Sequence, residues 1–302
     1  MTSNDERRIE AALLFDVRAE LGEGPVWDPV DACLYFVDIL RGRVHRYDPD
    51  TGTSRVYAVD RKVGAVGLCA TGDLILAVQG GFTRLDQTTG RTTVIAEVDA
   101  DRPDLRMNDG KCDPLGRFWA GTMALDERRG AGALYRLDPD GRVHTMRREV
   151  TISNGLDWTG DGRMYYIDSP TQRVDVFDFD GASGAIENRR PFVRIPVEEG
   201  TPDGLTLDAD GFVWVALWGG GAVHRYTPDG RLNMVVHVPA RYPTSCTFGG
   251  ADLGDLFITT ASVKLTEQER AEQPHAGGLF HARPGAKGRA PHRFRETRLR
   301  SW

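Results

Sequence analysis

A phrase repeated six times along the chain most limits what it can fold into. In each copy an apolar run is followed by an alternating run that stops at a turn rich in Asp, Pro and Gly. The closing parts of the six copies read RVHRYDPDTG, TRLDQTTG, ALYRLDPDG, RVDVFDFDGASG, AVHRYTPDG and GLFHARPG. Period-2 alternation that ends at such a turn is typical of β-hairpins. The chain is therefore expected to consist of six similar β units.

The number of strands in each unit indicates how the units assemble. Apolar runs such as LYFVDI from residue 34 and VWVALW from residue 213 are typical of buried strands, and runs such as TTVIAEV from residue 92 of outer strands. With the segment before each apolar run counted as an innermost strand, every copy holds four strands. Repeats of about 40 to 50 residues with four strands each are typical of a propeller. We predict an all-β fold, a six-bladed β-propeller with four antiparallel strands per blade.

The repeats also determine the expected domain organisation. They run from near residue 12 to the end of the chain without a linker, so we predict one propeller domain over residues 12–302, preceded by a flexible N-terminus over residues 1–11. The basic stretch HRFRETRLR near the C-terminus is interpreted as a solvated terminal strand, with anion binding as the alternative.

Composition excludes several classes of partner. A net charge of −6 argues against nucleic acid, which needs a concentrated basic surface. The sequence contains no apolar stretch long enough to span a membrane and no hydrophobic region typical of a secretory signal near Met1. The four cysteines form no CxxC pair, which favours reduced thiols and a cytoplasmic protein. Because nothing in the sequence demands assembly, we expect a monomer.

The turns that follow the innermost strands reveal a second regularity. A count of eight residues back from the turn reaches the same relative position in every copy, and the residues found there are Glu23, Gly64, Asn108, Asn154, Asp203 and Cys246. In a propeller the innermost strands surround the central channel, so side chains at one depth converge on its axis. Four polar residues at this position are therefore expected to lie close together.

Three of these residues form a candidate cation site. Glu23, Asn154 and Asp203 offer two carboxylates and an amide carbonyl, which suit Ca²⁺, Mg²⁺ or Mn²⁺ first and Fe²⁺ or Zn²⁺ second. Taken singly, Asn-Gly and Asp-Gly are ordinary turn dipeptides. Turn residues have no reason, however, to recur at one depth in four blades. We therefore predict a site for one divalent ion, with Ca²⁺ first among the alternatives.

Other sequence motifs say less about function. The chain contains no GxSxG nucleophile elbow, no Walker A loop and no GxGxxG after a strand. In LTEQERAEQP, Thr266 and Glu269 have the spacing of a capping box, which predicts a short helix. The segment 265–274 could serve as a lid over the channel mouth or be a plain surface insertion.

Several longer motifs carry a family resemblance. They are LGEGPVWD at 21–28, RMNDGKCDPLGRFWAGTM at 106–123, ISNGLDW at 152–158, TPDGLTLDADGFVWVALWGGG at 201–221 and HAGGLF at 275–280. In this order they resemble the family of SMP-30, gluconolactonase and luciferin-regenerating enzyme, over about residues 12–285. The resemblance implies a six-bladed propeller with one catalytic divalent metal that hydrolyses sugar lactones to aldonic acids.

The resemblance also implies residue roles. It makes Glu23, Asn154 and Asp203 metal ligands, Arg106 and Asn108 substrate-binding residues, and Asp126 a further substrate contact. At that last position the family commonly has Glu, and Glu127 follows directly. We expect Asp203 to act as general base, because a carboxylate that holds a metal with one oxygen can accept a proton with the other.

The function expected from the sequence is therefore metal-dependent hydrolysis of a sugar lactone, with glucono, xylono, arabinono and galactono rings all open. One alternative is a metal-binding propeller that acts as a ligand-binding or regulatory protein without significant turnover. A third reading is hydrolysis of a non-sugar ester or lactone.

Overall fold

The structure, a computed structural model, describes residues 6–297 and consists of six sheets in a ring. The predicted six-bladed β-propeller is confirmed. Two parts of the predicted domain organisation lie outside the described residues. They are residues 1–5 of the expected flexible N-terminus and residues 298–302 of the expected propeller domain.

The elements are numbered in chain order. The first strands are β1 (Arg7–Glu10), β2 (Ala12–Phe15), β3 (Gly22–Asp28), β4 (Cys33–Asp38), β5 (Arg43–Asp48), β6 (Thr53–Ala58), β7 (Val63–Leu68), β8 (Leu74–Val78), β9 (Gly81–Leu85), β10 (Thr92–Glu97), β11 (Leu105–Cys112), β12 (Phe118–Ala124), β13 (Gly132–Leu137) and β14 (Val143–Val150). The others are β15 (Ser153–Trp158), β16 (Arg163–Asp168), β17 (Arg173–Phe179), β18 (Ile186–Arg194), β19 (Thr201–Leu207), β20 (Val213–Trp218), β21 (Ala222–Tyr226), β22 (Leu232–His237), β23 (Pro243–Gly249), β24 (Asp255–Thr260) and β25 (Leu279–Ala282). Helix α1 (Glu267–Glu272) and two 3-10 helices, Ser169–Thr171 and Val197–Glu199, complete the set.

Each blade is an antiparallel sheet of consecutive strands. Blades 1 to 5 are β3–β6, β7–β10, β11–β14, β15–β18 and β19–β22, and blade 6 contains β23–β25. The first strand of each blade is innermost. These six strands contact one another in order around the ring, and β23 returns to β3. Their ends therefore surround a central channel, as the repeat pattern predicted.

The N-terminal strands close the ring in a way that the repeats did not predict. Strand β2 pairs antiparallel with β25, with Ala12 opposite His281, so the outer strand of blade 6 comes from the start of the chain. Strand β1 lies inside the segment expected to be flexible, and it pairs parallel with β22, with Arg7 opposite Met234. Pairing of chain ends covers strand edges that would otherwise stay open.

Tryptophan side chains pack within and between the blades. Trp119, Trp158 and Trp214 are fully buried, and the ring centroids of Trp119 and Trp158 lie 5.6 Å apart between blades 3 and 4. Trp119 Nε1 donates to Asp113 Oδ2 at 2.9 Å, in the turn after β11. The equivalent turn of blade 5 repeats this bond. These contacts fix the turns at one end of the channel.

The last described residues lie across that same end of the channel. We call residues 286–297 the C-terminal strap. Where the sequence interpretation expected a terminal strand, the strap has a single β-bridge, Phe294 with Cys69, and residues 298–300 of the basic stretch lie outside the described residues. Basic side chains of the strap pair with acids in innermost strands. Arg293 Nη2 lies 2.5 Å from Asp28 Oδ1, and Arg289 Nη2 lies 3.3 Å from Asp157 Oδ1. A cavity of about 120 Å³ lies beneath the strap, and a larger cavity of about 490 Å³ lies at the other end of the channel.

The insertion in blade 6 forms the predicted short helix. Thr266 accepts a hydrogen bond from Glu269 N, and the Glu269 side chain accepts from Thr266 N, so the capping box is confirmed. In the part of the chain that the structure describes, no helix is long and apolar enough to cross a membrane.

Candidate functional site

Each innermost strand is irregular near its start, and the predicted site residues lie at this irregularity. The pairing register shifts between Glu23 and Val26 in β3, and between Met107 and Gly110 in β11. Equivalent shifts occur in the other four innermost strands. Such β-bulges bend a strand and re-aim its side chains. The bulges therefore turn side chains toward the channel at one depth, which explains the register found in the sequence.

Aspartates from the second strand of a blade hold the entry to the innermost strand. Asp38, at the end of β4, accepts from Leu21 N at 3.2 Å, two residues before Glu23. Asp168, at the end of β16, accepts from Ile152 N at 3.0 Å, two residues before Asn154. Both aspartates are buried. The aspartates that end these two apolar runs thus help to position Glu23 and Asn154, two of the predicted ligands.

The register count fails in blade 6. The left-handed turn residue there is Leu253, at φ 55°, rather than Gly254. Cys246 pairs in regular register with Ile258 and faces the cavity under the C-terminal strap. Its displacement explains why blade 6 contributes no innermost residue to the cluster.

Five of the predicted residues line one cavity of about 490 Å³ at the open end of the channel: Glu23, Arg106, Asn108, Asn154 and Asp203. The Glu23 and Asp203 carboxyl groups are in hydrogen-bonding contact. Burial, and then their mutual repulsion, raises the pKa of Asp203 well above its ordinary value, and burial raises the pKa of Glu23. Two blades thus place adjoining carboxyl groups where a cation would relieve their repulsion.

A chain of hydrogen bonds joins the remaining polar groups. Arg106 Nη1 donates to Asn108 Oδ1 at 2.5 Å, and Asn108 Nδ2 donates to Asn154 Oδ1 at 2.8 Å. Asn108 Nδ2 also donates to the Ser153 carbonyl at 2.7 Å. Burial lowers the pKa of Arg106 to about 10, so the guanidinium stays charged at neutral pH. The predicted substrate-binding pair is therefore bonded directly to a predicted metal ligand.

Apolar side chains form much of the cavity wall. They are Leu21, Leu40, Met123, Leu125, Ile152, Trp218 and Val263. An apolar wall with a few convergent polar groups is typical of a small-molecule site.

The structure places Asp126 away from this cavity. Its side chain is 62% exposed, and Oδ1 lies 3.1 Å from Arg128 Nη1. The next residue, Glu127, does line the cavity, and its Oε1 lies 2.5 Å from Lys264 Nζ, which lines the cavity from blade 6. Glu127 has a left-handed backbone, at φ 58°, which turns the following chain. Of the two neighbouring acids, only Glu127 is positioned at the cavity.

The donor set fits a hard cation. Glu23 and Asp203 supply carboxylate oxygens and Asn154 supplies Oδ1, all within one buried cluster. Across residues 6–297 no group of three His, Cys, Asp or Glu side chains is placed to hold a metal ion. The cluster described here has only two such side chains, since its third proposed ligand is the amide of Asn154. Without nitrogen or sulfur ligands, the cluster favours Ca²⁺, Mg²⁺ or Mn²⁺ over softer ions.

The cavity is also lined by polar residues that were not predicted as site residues, among them Ser169, Glu127 and Lys264. Ser169 begins a 3-10 helix after β16, and the other two lie in the loops that follow the second strands of blades 3 and 6, after β12 and β24. None occupies a position repeated in several blades, so the register carried no signal for them. The Asp-Ser-Pro sequence after the apolar run of blade 4 is a helix-start signal that could have drawn attention to Ser169.

Comparison with known sequences gives consistent matches over the chain. The family pattern described as the SMP-30/Gluconolactonase/LRE-like region matches residues 21–262. YvrE of Bacillus subtilis (strain 168), named as a proposed sugar lactone lactonase, is 41% identical over 285 residues, which cover 94% of this chain and 98% of that protein. Regucalcin of Gallus gallus is 41% identical over 285 residues, covering 92% of this chain and 95% of that protein.

Solved structures agree with these sequence matches. A calcium-binding protein, regucalcin, from Agrobacterium tumefaciens str. C58 superposes with a TM-score of 0.91 at 29% identity, covering 96% of this chain and 99% of that chain. A luciferin-regenerating enzyme gives a TM-score of 0.86 at 32% identity, covering 92% of this chain and 96% of that chain. The chain belongs to the SMP-30/gluconolactonase/LRE-like family.

Proposed function

We propose that the protein hydrolyses a sugar lactone to the aldonic acid, in a reaction that depends on one divalent cation. The observation that carries the proposal is the convergence of Glu23, Asn154 and Asp203 on one cavity that Arg106 and Asn108 also line. The name of YvrE supports a lactone as substrate, and the calcium-binding description of the Agrobacterium protein supports a cation.

The cation would be held by Glu23, Asn154 and Asp203. Its charge would polarise the lactone carbonyl and stabilise the negative charge that develops there as water adds. The mutual repulsion of the two carboxyl groups would be relieved at the same time.

Asp203 is proposed to move the proton. Water adds to the lactone carbonyl carbon and gives up a proton to the Asp203 carboxylate. The bond between that carbon and the ring oxygen then breaks, and the ring oxygen receives the proton. One water is consumed, and the products are a hydroxyl and a carboxyl group on one open chain. A carboxylate at the bottom of a cavity with apolar walls is suited to this transfer.

Arg106 is proposed to orient the substrate. Within residues 6–297 it donates only through Nη1, to Asn108 Oδ1 and the Met107 carbonyl, so Nε and Nη2 are left for sugar oxygens. Asn108 Nδ2 already donates to the Ser153 carbonyl and to Asn154 Oδ1, so it has no proton left for a substrate. Its first role is therefore to align Arg106 with the cation, and it contacts substrate through the face of its amide.

Glu127 is proposed to supply the acidic substrate contact expected of Asp126. It lines the cavity and is half-exposed, so it can leave Lys264 and accept hydrogen bonds from sugar hydroxyls. Asp126 remains in solvent with Arg128.

The test is acid release from a panel of sugar lactones, followed with a pH indicator. The purified protein is assayed as isolated, after removal of metal with EDTA, and after addition of Ca²⁺ or Mn²⁺. Background hydrolysis of each lactone is subtracted. We expect turnover of at least one lactone that chelation abolishes and an added ion restores. Turnover that is unchanged by chelation would contradict the proposed role of the cation.

A second function is favoured by the regucalcin names among the relatives. The same cluster could bind a cation without significant turnover, as in a regulatory or ligand-binding protein. The lactone panel separates the two functions. Tight ion binding with no acid release from any lactone, sugar or non-sugar, would support the second.

A further inference from the structure

We propose that Ser169 is a positioning residue for the metal ligand Asn154, and that its hydroxyl determines which end of the Asn154 amide faces the cation. The inference rests on the proposed function, because it concerns the ion that the function requires.

Ser169 lies between two predicted ligands from neighbouring blades. Its Oγ accepts a hydrogen bond from Asn154 Nδ2 at 2.7 Å and donates to the Pro202 carbonyl at 2.6 Å. The serine side chain is buried. Pro202 directly precedes Asp203, so one hydroxyl links a ligand of blade 4 to the backbone beside a ligand of blade 5.

The direction of each bond follows from the chemistry of the groups. A hydroxyl has one proton, and the Pro202 carbonyl can only accept it. Ser169 must therefore accept from Asn154, which places the amide NH₂ against the serine and leaves Oδ1 for the cluster. If the amide were reversed, Asn154 Oδ1 would face a hydroxyl whose proton is already used.

The hydrogen bonds on the Arg106 side favour the same orientation of the Asn154 amide. Arg106 can only donate, so Asn108 turns Oδ1 toward Arg106 and Nδ2 toward Asn154. That NH₂ group requires an acceptor, and Asn154 Oδ1 provides it. The Asn154 amide is thus held from both sides, and loss of Ser169 leaves Asn108 as its one side-chain partner among residues 6–297.

The expected effect is one on ion affinity rather than on folding. Groups that orient metal ligands typically change metal affinity by about 10–100-fold when removed. Ser169→Ala should weaken the binding of Ca²⁺ and Mn²⁺ by about that factor, because the amide can tilt and the Pro202 carbonyl loses its donor. Ser169→Thr keeps the hydroxyl and should restore most of the affinity.

The experiment is titration calorimetry of Ca²⁺ and Mn²⁺ into the EDTA-stripped full chain. Ser262→Ala is the matched control, since Ser262 is also buried and its Oγ donates to the Ala19 carbonyl at 2.8 Å. The control should bind both ions like wild type. The thermal midpoint of each ion-free variant is measured alongside. A midpoint for Ser169→Ala far below that of Ser262→Ala would show a structural role and overturn the proposal.

The same substitution made in the Asn154→Asp variant tests whether the effect of Ser169 depends on amide orientation. In Asn154→Asp the ligand has two equivalent oxygens, so there is no amide to orient. Ser169→Ala should then change the ion Kd by about twofold or less, within the scatter of independent sites. An equal loss in both backgrounds, or wild-type affinity in Ser169→Ala, would overturn the proposal while leaving the proposed function intact. If wild type binds neither ion, the proposed function itself fails, and this inference fails with it.

Discussion

At the scale of single residues, the site depends on two carboxyl groups that are costly to keep charged. Glu23 and Asp203 are both buried and in contact, and Asp109 adds repulsion from behind the cluster. The Arg106 guanidinium provides a compensating charge beside both carboxyl groups. A divalent cation would complete the charge balance, whereas protons do so in its absence.

Ion affinity is therefore expected to depend on pH. Burial raises the pKa of Glu23 to about 8, from an ordinary value of 4.5. Between these values the ion-free folded protein holds protons that the unfolded chain releases, so its free energy of unfolding falls as pH rises. An incoming cation must displace those protons, so Ca²⁺ binding should be tighter at pH 8 than at pH 6. Titration calorimetry at both pH values, with thermal unfolding in EDTA, checks the two trends. Equal affinity at pH 6 and pH 8 would contradict the expected proton displacement.

Asp203→Asn is expected to separate activity from stability. Lactone turnover should fall by about 10²–10⁴-fold, the usual contribution of a general base. The ion-free variant should be at least as stable as wild type at pH 8, because an amide replaces a buried carboxyl group whose charged form is costly to keep. Acid release and the thermal midpoint in EDTA measure the two effects. Wild-type turnover in the variant would remove Asp203 from the mechanism.

The sequence identified these residues because they repeat. Glu23, Asn108, Asn154 and Asp203 were found by counting along equivalent strands, and Arg106 through the family motif that contains Asn108. Ser169 could not be found in this way, since its position follows from one loop of blade 4 and its contact with Pro202 spans 33 residues.

At the scale of elements, the bulged starts of innermost strands β3, β15 and β19 supply the proposed ligands, and loops after the second strands of blades contribute to the cavity rim. The loop after β12 carries Glu127, and the segment after β24 carries Lys264, at φ 58° and φ 68°. Loop positions of this kind have no periodic pattern, so the acidic position came only from the family resemblance, at Asp126, whereas the structure has Glu127 at the cavity. Bulges likewise cannot be read from alternation, because the extra residue interrupts it.

The pair Asp126 and Glu127 offers a matched comparison. Glu127→Gln should raise the KM for a sugar lactone by about tenfold, the typical value of a hydrogen bond to a charged group. Asp126→Asn should leave KM within about twofold, because its exposed side chain contributes little. Steady-state kinetics on the best lactone of the panel measures both. The reverse ranking would return the substrate contact to Asp126.

At the scale of the whole molecule, segments near both termini, strand β2 and the C-terminal strap, hold the ring together. Strand β2 completes blade 6, and the C-terminal strap covers the channel end opposite the cavity. The number of blades and their strands followed from the repeats. Closure did not, because an N-terminal strand that pairs with the last blade belongs to no repeat, and the strap depends on ion pairs between distant parts of the chain.

Phe294 tests how much the strap contributes to stability. Its ring is buried against blades 2 and 3, so Phe294→Ala should lower the free energy of unfolding by about 3–5 kcal/mol. The exposed neighbour Arg295 is the control, and Arg295→Ala should change it by about 0.5 kcal/mol or less. Chemical denaturation measures both, and equal effects would show that the strap only rests on the surface.

The most direct measurement of the central claim is anomalous diffraction from crystals of the protein grown with Mn²⁺. Side chains from blades 1, 4 and 5 should surround one strong peak in the cavity, with oxygens of Glu23, Asn154 and Asp203 within about 2.0–2.6 Å. A peak elsewhere, or none in this cavity at saturating Mn²⁺, would contradict the claim that these three residues hold a common cation.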